Sequence, residues 1–83
     1  MTDEELERRV QEAASRPYRK VISGDDVEGY LAEAPELPGC VTAGKTVDEA
    51  LLMLRDAMEG WIECALLAGE DLPEPKASVR LSA

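Results

Sequence analysis

Residues 47–68 carry the strongest periodic pattern in this chain, and that pattern constrains the fold more than any other feature. At about 100° per residue, one set of apolar side chains shares a broad face of a helix. The set is Val47, Ala50, Leu51, Leu54, Met58, Trp61, Ile62 and Ala65. Thr46 and Glu49 have the spacing of a capping box, and Gly69 follows where a helix commonly ends. The pattern predicts a long amphipathic helix that must cover a flat apolar surface.

Three short strands are predicted ahead of this helix and would supply that surface. Residues 18–23 and 30–34 are rich in strand-forming side chains, and the Gly- and Asp-rich stretch 24–29 separates them. This arrangement is typical of a β-hairpin. Pro38-Gly39 suits the centre of a type II turn, because glycine readily takes the positive φ required there. Residues 40–43 are then predicted to form the third strand.

Each end of the chain adds one more predicted element. A second capping box, Thr2-x-x-Glu5, begins a helix over residues 2–16, which Pro17 ends. Residues 77–81 alternate in polarity and predict a short final strand. We therefore expect an α+β fold of order α-β-β-β-α-β, with a three- to four-stranded, mainly antiparallel sheet covered by one long helix. Residues 1–17 are interpreted as an N-terminal helical extension, and residues 18–83 as the α+β domain.

The long helix has more apolar surface than one face needs. Met53, Gly60, Cys64 and Leu67 form a second stripe beside the first. One interpretation is a wide buried face in a small domain. The other is a homo-oligomer contact, in a dimer or tetramer, where Gly60 allows close approach.

The net charge of −9 is concentrated in the middle of the chain. Between residues 24 and 75 there are 13 acidic residues, and the only bases are Lys45 and Arg55. Such a surface opposes direct contact with nucleic acid or with an anionic membrane. It favours either a basic protein partner or a surface that is simply acidic and soluble.

Several kinds of chemistry have little support in this composition. The chain has no histidine, and Cys40 and Cys64 lack the spacing of metal ligands. We therefore expect no catalytic residue, no metal and no cofactor. No apolar run reaches the roughly 18–20 residues of a membrane span, and the charged N-terminus does not resemble a signal peptide. A cytoplasmic protein is expected.

The stretch Tyr30-Leu-Ala-Glu-Ala-Pro-Glu-Leu-Pro-Gly-Cys40 precedes Gly44-Lys-Thr and then Asp48-Glu-Ala. This series resembles the signature of the HicB-like antitoxin family, and residues 72–75 resemble its Pro-x-Pro tail. The resemblance covers residues 18–81. It implies a truncated ribonuclease H-like unit whose relatives neutralise a small basic toxin that cleaves RNA. Many relatives add a C-terminal DNA-binding domain. Since only about 14 residues follow the predicted helix here, we expect none.

The first functional hypothesis is accordingly an antitoxin-like domain that binds a basic toxin through its acidic middle. Candidate contacts around the hairpin are Asp25, Asp26, Glu28, Glu33 and Glu36, and further candidates on the exposed helix face are Asp56, Glu59 and Glu63.

Two alternatives belong to other functional classes. A solitary homo-oligomeric domain of unknown ligand is favoured by the second apolar stripe and the small core. A metal-dependent nuclease is the weakest hypothesis, because two-metal catalysis needs converging carboxylates, one of them on the first strand. Residues 18–23 contain no acid.

Overall fold

The computed structural model describes residues 1–75, which form two helices and a three-stranded antiparallel sheet. In chain order the elements are α1 (Asp3–Ala14), β1 (Val21–Asp25), β2 (Gly29–Glu33), β3 (Val41–Gly44) and α2 (Val47–Leu67). This order confirms the expected α+β class and its α-β-β-β-α arrangement. The strand predicted at residues 77–81 lies outside the described residues, and the ribonuclease H-like label stays a prediction.

The sheet is a simple meander in the order β1-β2-β3. Ile22 pairs with Ala32 and Ala32 with Thr42, while Val21 pairs with Glu33 and Glu33 with Val41. Because side chains alternate along a strand, the first row faces α2 and the second faces the opposite side. The predicted hairpin is confirmed, although β1 begins at Val21 and not at residue 18. The preceding segment makes a local turn, in which Tyr18 N donates to Arg16 O at 2.7 Å.

The connection between β2 and β3 contains the predicted Pro38-Gly39 turn. Gly39 has φ +83°, and Cys40 N donates to Leu37 O at 2.9 Å. Positive φ at the third turn position together with this hydrogen bond is typical of a type II turn. Ala34 N donates to Cys40 O at 3.0 Å and closes the loop. The loop also places Leu37, which is fully buried, in the core.

Both ends of α2 follow the sequence signals. Thr46 Oγ1 accepts from Glu49 N at 3.0 Å, and Glu49 Oε1 accepts from Lys45 N at 2.6 Å. At the other end Gly69 has φ +74°, and Glu70 N donates to Ala65 O at 2.9 Å. The first pair resembles a capping box, with the Glu49 carboxylate accepting from the residue before the N-cap. The second is the longer hydrogen bond of a Schellman motif. Local chemistry therefore sets the length of α2.

The sheet packs against α2 at very short range. Ala32, Ala50, Leu54 and Met58 are completely buried in this contact. A Cβ at Gly44 would lie 2.6 Å from Ala50 N, so only glycine permits this approach of strand and helix. Each large apolar side chain fully buried here contributes roughly 1.5–3 kcal/mol.

The N-terminal helix packs against the Ile62 side of the broad apolar face of α2. Val10, Ala13 and Ala14 form a second small cluster with Ile62, and Leu6, Trp61, Leu66 and Leu72 pack around it. Trp61 also contacts the sheet cluster, so it joins the two. One side of the broad α2 face therefore covers the sheet, and its Ile62 side receives α1.

Two long-range polar contacts hold the segment before β1 in place. Tyr18 is 3% exposed, and its hydroxyl donates to Pro73 O at 2.6 Å. The Glu36 side chain is 1% exposed; its carboxylate accepts from Arg19 N at 3.1 Å and lies 3.8 Å from Arg19 Nε. These contacts tie the tail after α2 and the β2–β3 loop to the start of the sheet.

Replacing the buried tyrosine tests the first of these ties. In Tyr18→Phe, Pro73 O loses its donor, so the free energy of unfolding should fall by about 1 kcal/mol. Tyr30→Phe is the matched control, because the Tyr30 hydroxyl donates to Asp26 at the exposed hairpin tip. Urea unfolding followed by tryptophan fluorescence gives both values. Equal losses in the two variants would contradict a special role for the Tyr18 contact.

Replacing the buried glutamate tests the second. Glu36→Gln keeps the side-chain shape but removes the charge facing Arg19, so the free energy of unfolding should fall by about 2 kcal/mol. Glu33→Gln, on an exposed residue of the neighbouring strand, should unfold like the unchanged protein. Thermal unfolding by circular dichroism distinguishes them. A Glu36→Gln protein as stable as the Glu33→Gln control would show that the buried carboxylate has no structural role.

Candidate protein-binding surface

Apart from Met1, the exposed large apolar residues of the described chain fall into two sets. The first belongs to the sheet and its hairpin tip and consists of Val21, Val27, Leu31 and Val41. The second lies on α2 and consists of Val47, Leu52, Met53 and Leu67. Clustered exposed apolar side chains commonly mark places where another molecule binds.

The open sheet face is the side of the sheet that α2 does not cover. It is formed by Val21, Ser23, Leu31, Glu33, Val41 and Ala43. Val21, Leu31 and Val41 are strand residues, yet their exposed fractions are 44%, 51% and 52%. The face is therefore a small apolar area with one carboxylate, Glu33, on its surface.

Acidic residues at the hairpin tip border this face. Asp25 Oδ1 accepts from Val27 N at 3.0 Å and from Glu28 N at 2.8 Å, which fixes the turn. Asp26 accepts from the Tyr30 hydroxyl, and this hydrogen bond to a carboxylate raises the pKa of Tyr30. Val27 projects at the tip and is 91% exposed. The turn thus presents several carboxylates on a locally ordered loop.

Of the five predicted hairpin contacts, Glu33 lies on the open sheet face, and Asp25 follows the same alternation at the end of β1. Asp26 and Glu28 belong to the turn, where Asp26 accepts from Tyr30, a residue that packs on the α2 side of the sheet. Glu36 does not lie on this face, because the turn at residues 34–37 directs its carboxylate inward to Arg19. The exposed apolar residues of this face, Val21, Leu31 and Val41, were not among the predicted contacts. Strand alternation opposite Ile22, Ala32 and Thr42 is the signal that could have identified them.

A second acidic region lies between the two helices. A groove of about 470 Å³ there is lined by carboxylates of both helices, Asp3, Glu7, Asp56, Glu59 and Glu63. Arg55 Nε lies 3.2 Å from Glu59 Oε2 at its edge. The three helix acids named from the sequence therefore face α1. Within residues 1–75, no three or more His, Cys, Asp or Glu side chains are grouped so that they could hold a metal ion.

The outer flank of α2 borders a groove of about 650 Å³ beside the start of β3. Gly60 and Cys64 of the predicted second stripe line this groove. Met53 and Leu67 are 50% and 66% exposed and are not among its lining residues. Cys64 is an exposed free thiol, whereas burial raises the pKa of the free thiol of Cys40. No helix within the described range is long and apolar enough to cross a membrane.

Comparison with known proteins agrees with the sequence signature. Residues 18–82 match the family described as the HicB_like antitoxin of bacterial toxin-antitoxin systems. The UPF0150 protein Ta0767 of Thermoplasma acidophilum is 37% identical over 60 residues, which cover 72% of this chain and 87% of that protein. The UPF0150 protein ssl0259 of Synechocystis is 35% identical over 51 residues, covering 61% of this chain and 70% of the relative.

A solved structure supports the same assignment. The crystal structure of TTHA0281 from Thermus thermophilus is 35% identical in sequence and superimposes with a TM-score of 0.58. The match covers 94% of this chain and 93% of that one. Together with the family match over most of the chain, it shows that the protein belongs to the HicB-like antitoxin family.

Proposed function

We propose that this protein binds and neutralises a small, basic, RNA-cleaving toxin through its open sheet face and the acidic hairpin tip. The observation that carries the proposal is the group of exposed apolar side chains Val21, Leu31 and Val41 on the sheet side opposite α2, with the Glu33 carboxylate among them. Family membership supports a toxin partner in general terms. The proposed role is binding, and occlusion of the toxin's RNA site needs no cofactor.

The surface has the composition of a protein interface. An apolar centre that loses water on binding, with polar groups around it, is the usual arrangement in protein complexes. Here Val21, Leu31 and Val41 supply the apolar area. Glu33 lies between Val21 and Val41 on the central strand, and the acidic turn after β1 adds negative charge at one end. A toxin that cleaves RNA binds phosphates with Lys and Arg side chains. Carboxylates held on an ordered turn can bind those Lys and Arg side chains in place of phosphate.

The two parts of the surface should affect binding differently. Exposed charges mainly accelerate association with an oppositely charged partner, and salt screens this effect. Buried apolar contacts mainly slow dissociation. Neutralisation would occur in the cytoplasm, where such a toxin meets RNA.

Self-association is a second proposed property, and a solitary oligomeric domain is the alternative function. It is supported by the exposed apolar residues of α2, which lie apart from the open sheet face. The same protein can both self-associate and bind a toxin, so the two proposals need separate measurements.

Toxin binding can be tested by replacing one leucine in each set of exposed apolar residues with lysine. The probe is a small basic protein of the RNA-cleaving toxin class, chosen from an open reading frame adjacent to this one, and binding is measured by biolayer interferometry on the full chain. Leu31→Lys places a like charge against a basic partner and removes an apolar contact, so Kd should rise about 30-fold or more. Leu52→Lys, on a residue that is 72% exposed on α2, should leave Kd unchanged.

Both the control and the salt dependence can contradict the proposal. Loss of binding in Leu52→Lys with unchanged binding in Leu31→Lys would place the toxin on α2. Absence of any binding by the unchanged chain would reject toxin neutralisation by this pair. In 1 M salt the association rate should fall steeply. A rate independent of salt would reject charge complementarity.

A further inference from the structure

We infer that the free edge of β3 pairs antiparallel with β3 of a second copy of this chain, so that the three strands of each copy form one continuous sheet. This inference rests on the self-association proposed above and specifies an interface that includes Gly60 and Cys64 of the second stripe but not the exposed Met53 and Leu67. Three features meet at that edge: an unprotected strand, the outer flank of α2, and opposite charges at the two ends of the strand.

The β3 edge lacks the features that usually prevent strand pairing. Its sequence, Val41-Thr-Ala-Gly44, contains no charge and no proline. Since Ala34 N donates to Cys40 O, alternation along an antiparallel ladder directs the backbone groups of Val41 and Ala43 to the free side. The other edge strand, β1, ends in Asp25, and the chain around Pro73 contacts Tyr18 just before it begins. This contrast favours β3 as the pairing edge.

The outer flank of α2 leaves room beside this edge. Ala57, Gly60 and Cys64 line the groove together with Gly39 and Val41, and these residues are uncharged and mostly small. A Cβ at Gly60 would meet no atom within 4 Å, so packing inside one copy does not require glycine there. Glycine within a helix is nevertheless unfavourable compared with alanine. A second copy that approaches this flank closely accounts for the residue.

The charges near the β3 edge favour another copy of this chain as the molecule that binds there. Two molecules of net charge −9 repel unless their contact avoids acidic residues or pairs them with bases. Lys45 directly follows β3, while Glu70 lines the groove beside Gly39, just before the other end of β3. In an antiparallel pair about a twofold axis, the Lys45 end of one strand meets the Gly39 end of the other. Lys45 of each copy then lies beside Glu70 of its partner.

Both side chains are available for this contact. Each is exposed, and neither forms an ion pair with any residue in the range 1–75. Arg55, the other base between residues 24 and 75, already pairs with Glu59. The twofold arrangement uses each charge once and forms two equivalent ion pairs.

Charge reversal tests the interface directly. Analytical ultracentrifugation of the full chain in 50 mM salt, without toxin, should show a dimer. Lys45→Glu and Glu70→Lys each turn two attractions into two repulsions, so each should raise the dimer dissociation constant about tenfold or more. The double variant Lys45→Glu/Glu70→Lys restores opposite charges and should regain the original constant. Circular dichroism of every variant should match that of the unchanged chain, because both side chains are exposed.

The outcomes separate the inference from the proposals on which it depends. A chain that remains monomeric at 100 μM would reject self-association and this interface together. A dimer unaffected by either single reversal, or not restored by the double reversal, would reject the β3 interface while self-association stands. Because no toxin is present, none of these results depends on the toxin-binding proposal.

Discussion

The close contact between β3 and α2 determines which surfaces of this protein remain open. At Gly44 the strand approaches Ala50 N so closely that a Cβ would lie 2.6 Å away. Leu54 and Met58 then fill the space over the sheet without exposure. Because α2 is fixed over one side, no residue in the range 1–75 covers the opposite side with Leu31 or the outer edge of β3. Both proposed interactions follow from this geometry.

The two proposed interfaces can operate together. The toxin would contact the open sheet face, while the second copy would contact the edge of β3 and the flank of α2. Val41 lies where the two surfaces meet, since its side chain points to the open face and its backbone to the edge. Pairing of two β3 strands would put both open faces on the same side of one sheet. Each copy could therefore still bind its own toxin.

Local signals in the sequence predicted most of the architecture. The N-caps at Thr2 and Thr46, the Pro38-Gly39 turn and the periodic face of α2 all depend on neighbouring residues, and the structure confirms them. Contacts between distant residues were not predictable in this way. Glu36 looked like one more exposed acid, yet it faces Arg19 across the fold. The exposed apolar residues of the open face also became visible only after the strand register placed Val21, Leu31 and Val41 on one side of the sheet, with Glu33 between Val21 and Val41.

The most direct test of the central claim, that the toxin binds the open sheet face, is amide chemical-shift mapping of ¹⁵N-labelled protein. Spectra would be recorded with increasing amounts of the same small basic toxin probe. The largest shifts are expected in Val21–Asp25 and Gly29–Glu33, with little change around Glu7 and Asp56. The largest shifts in the acidic groove between α1 and α2, with an unchanged sheet, would contradict it.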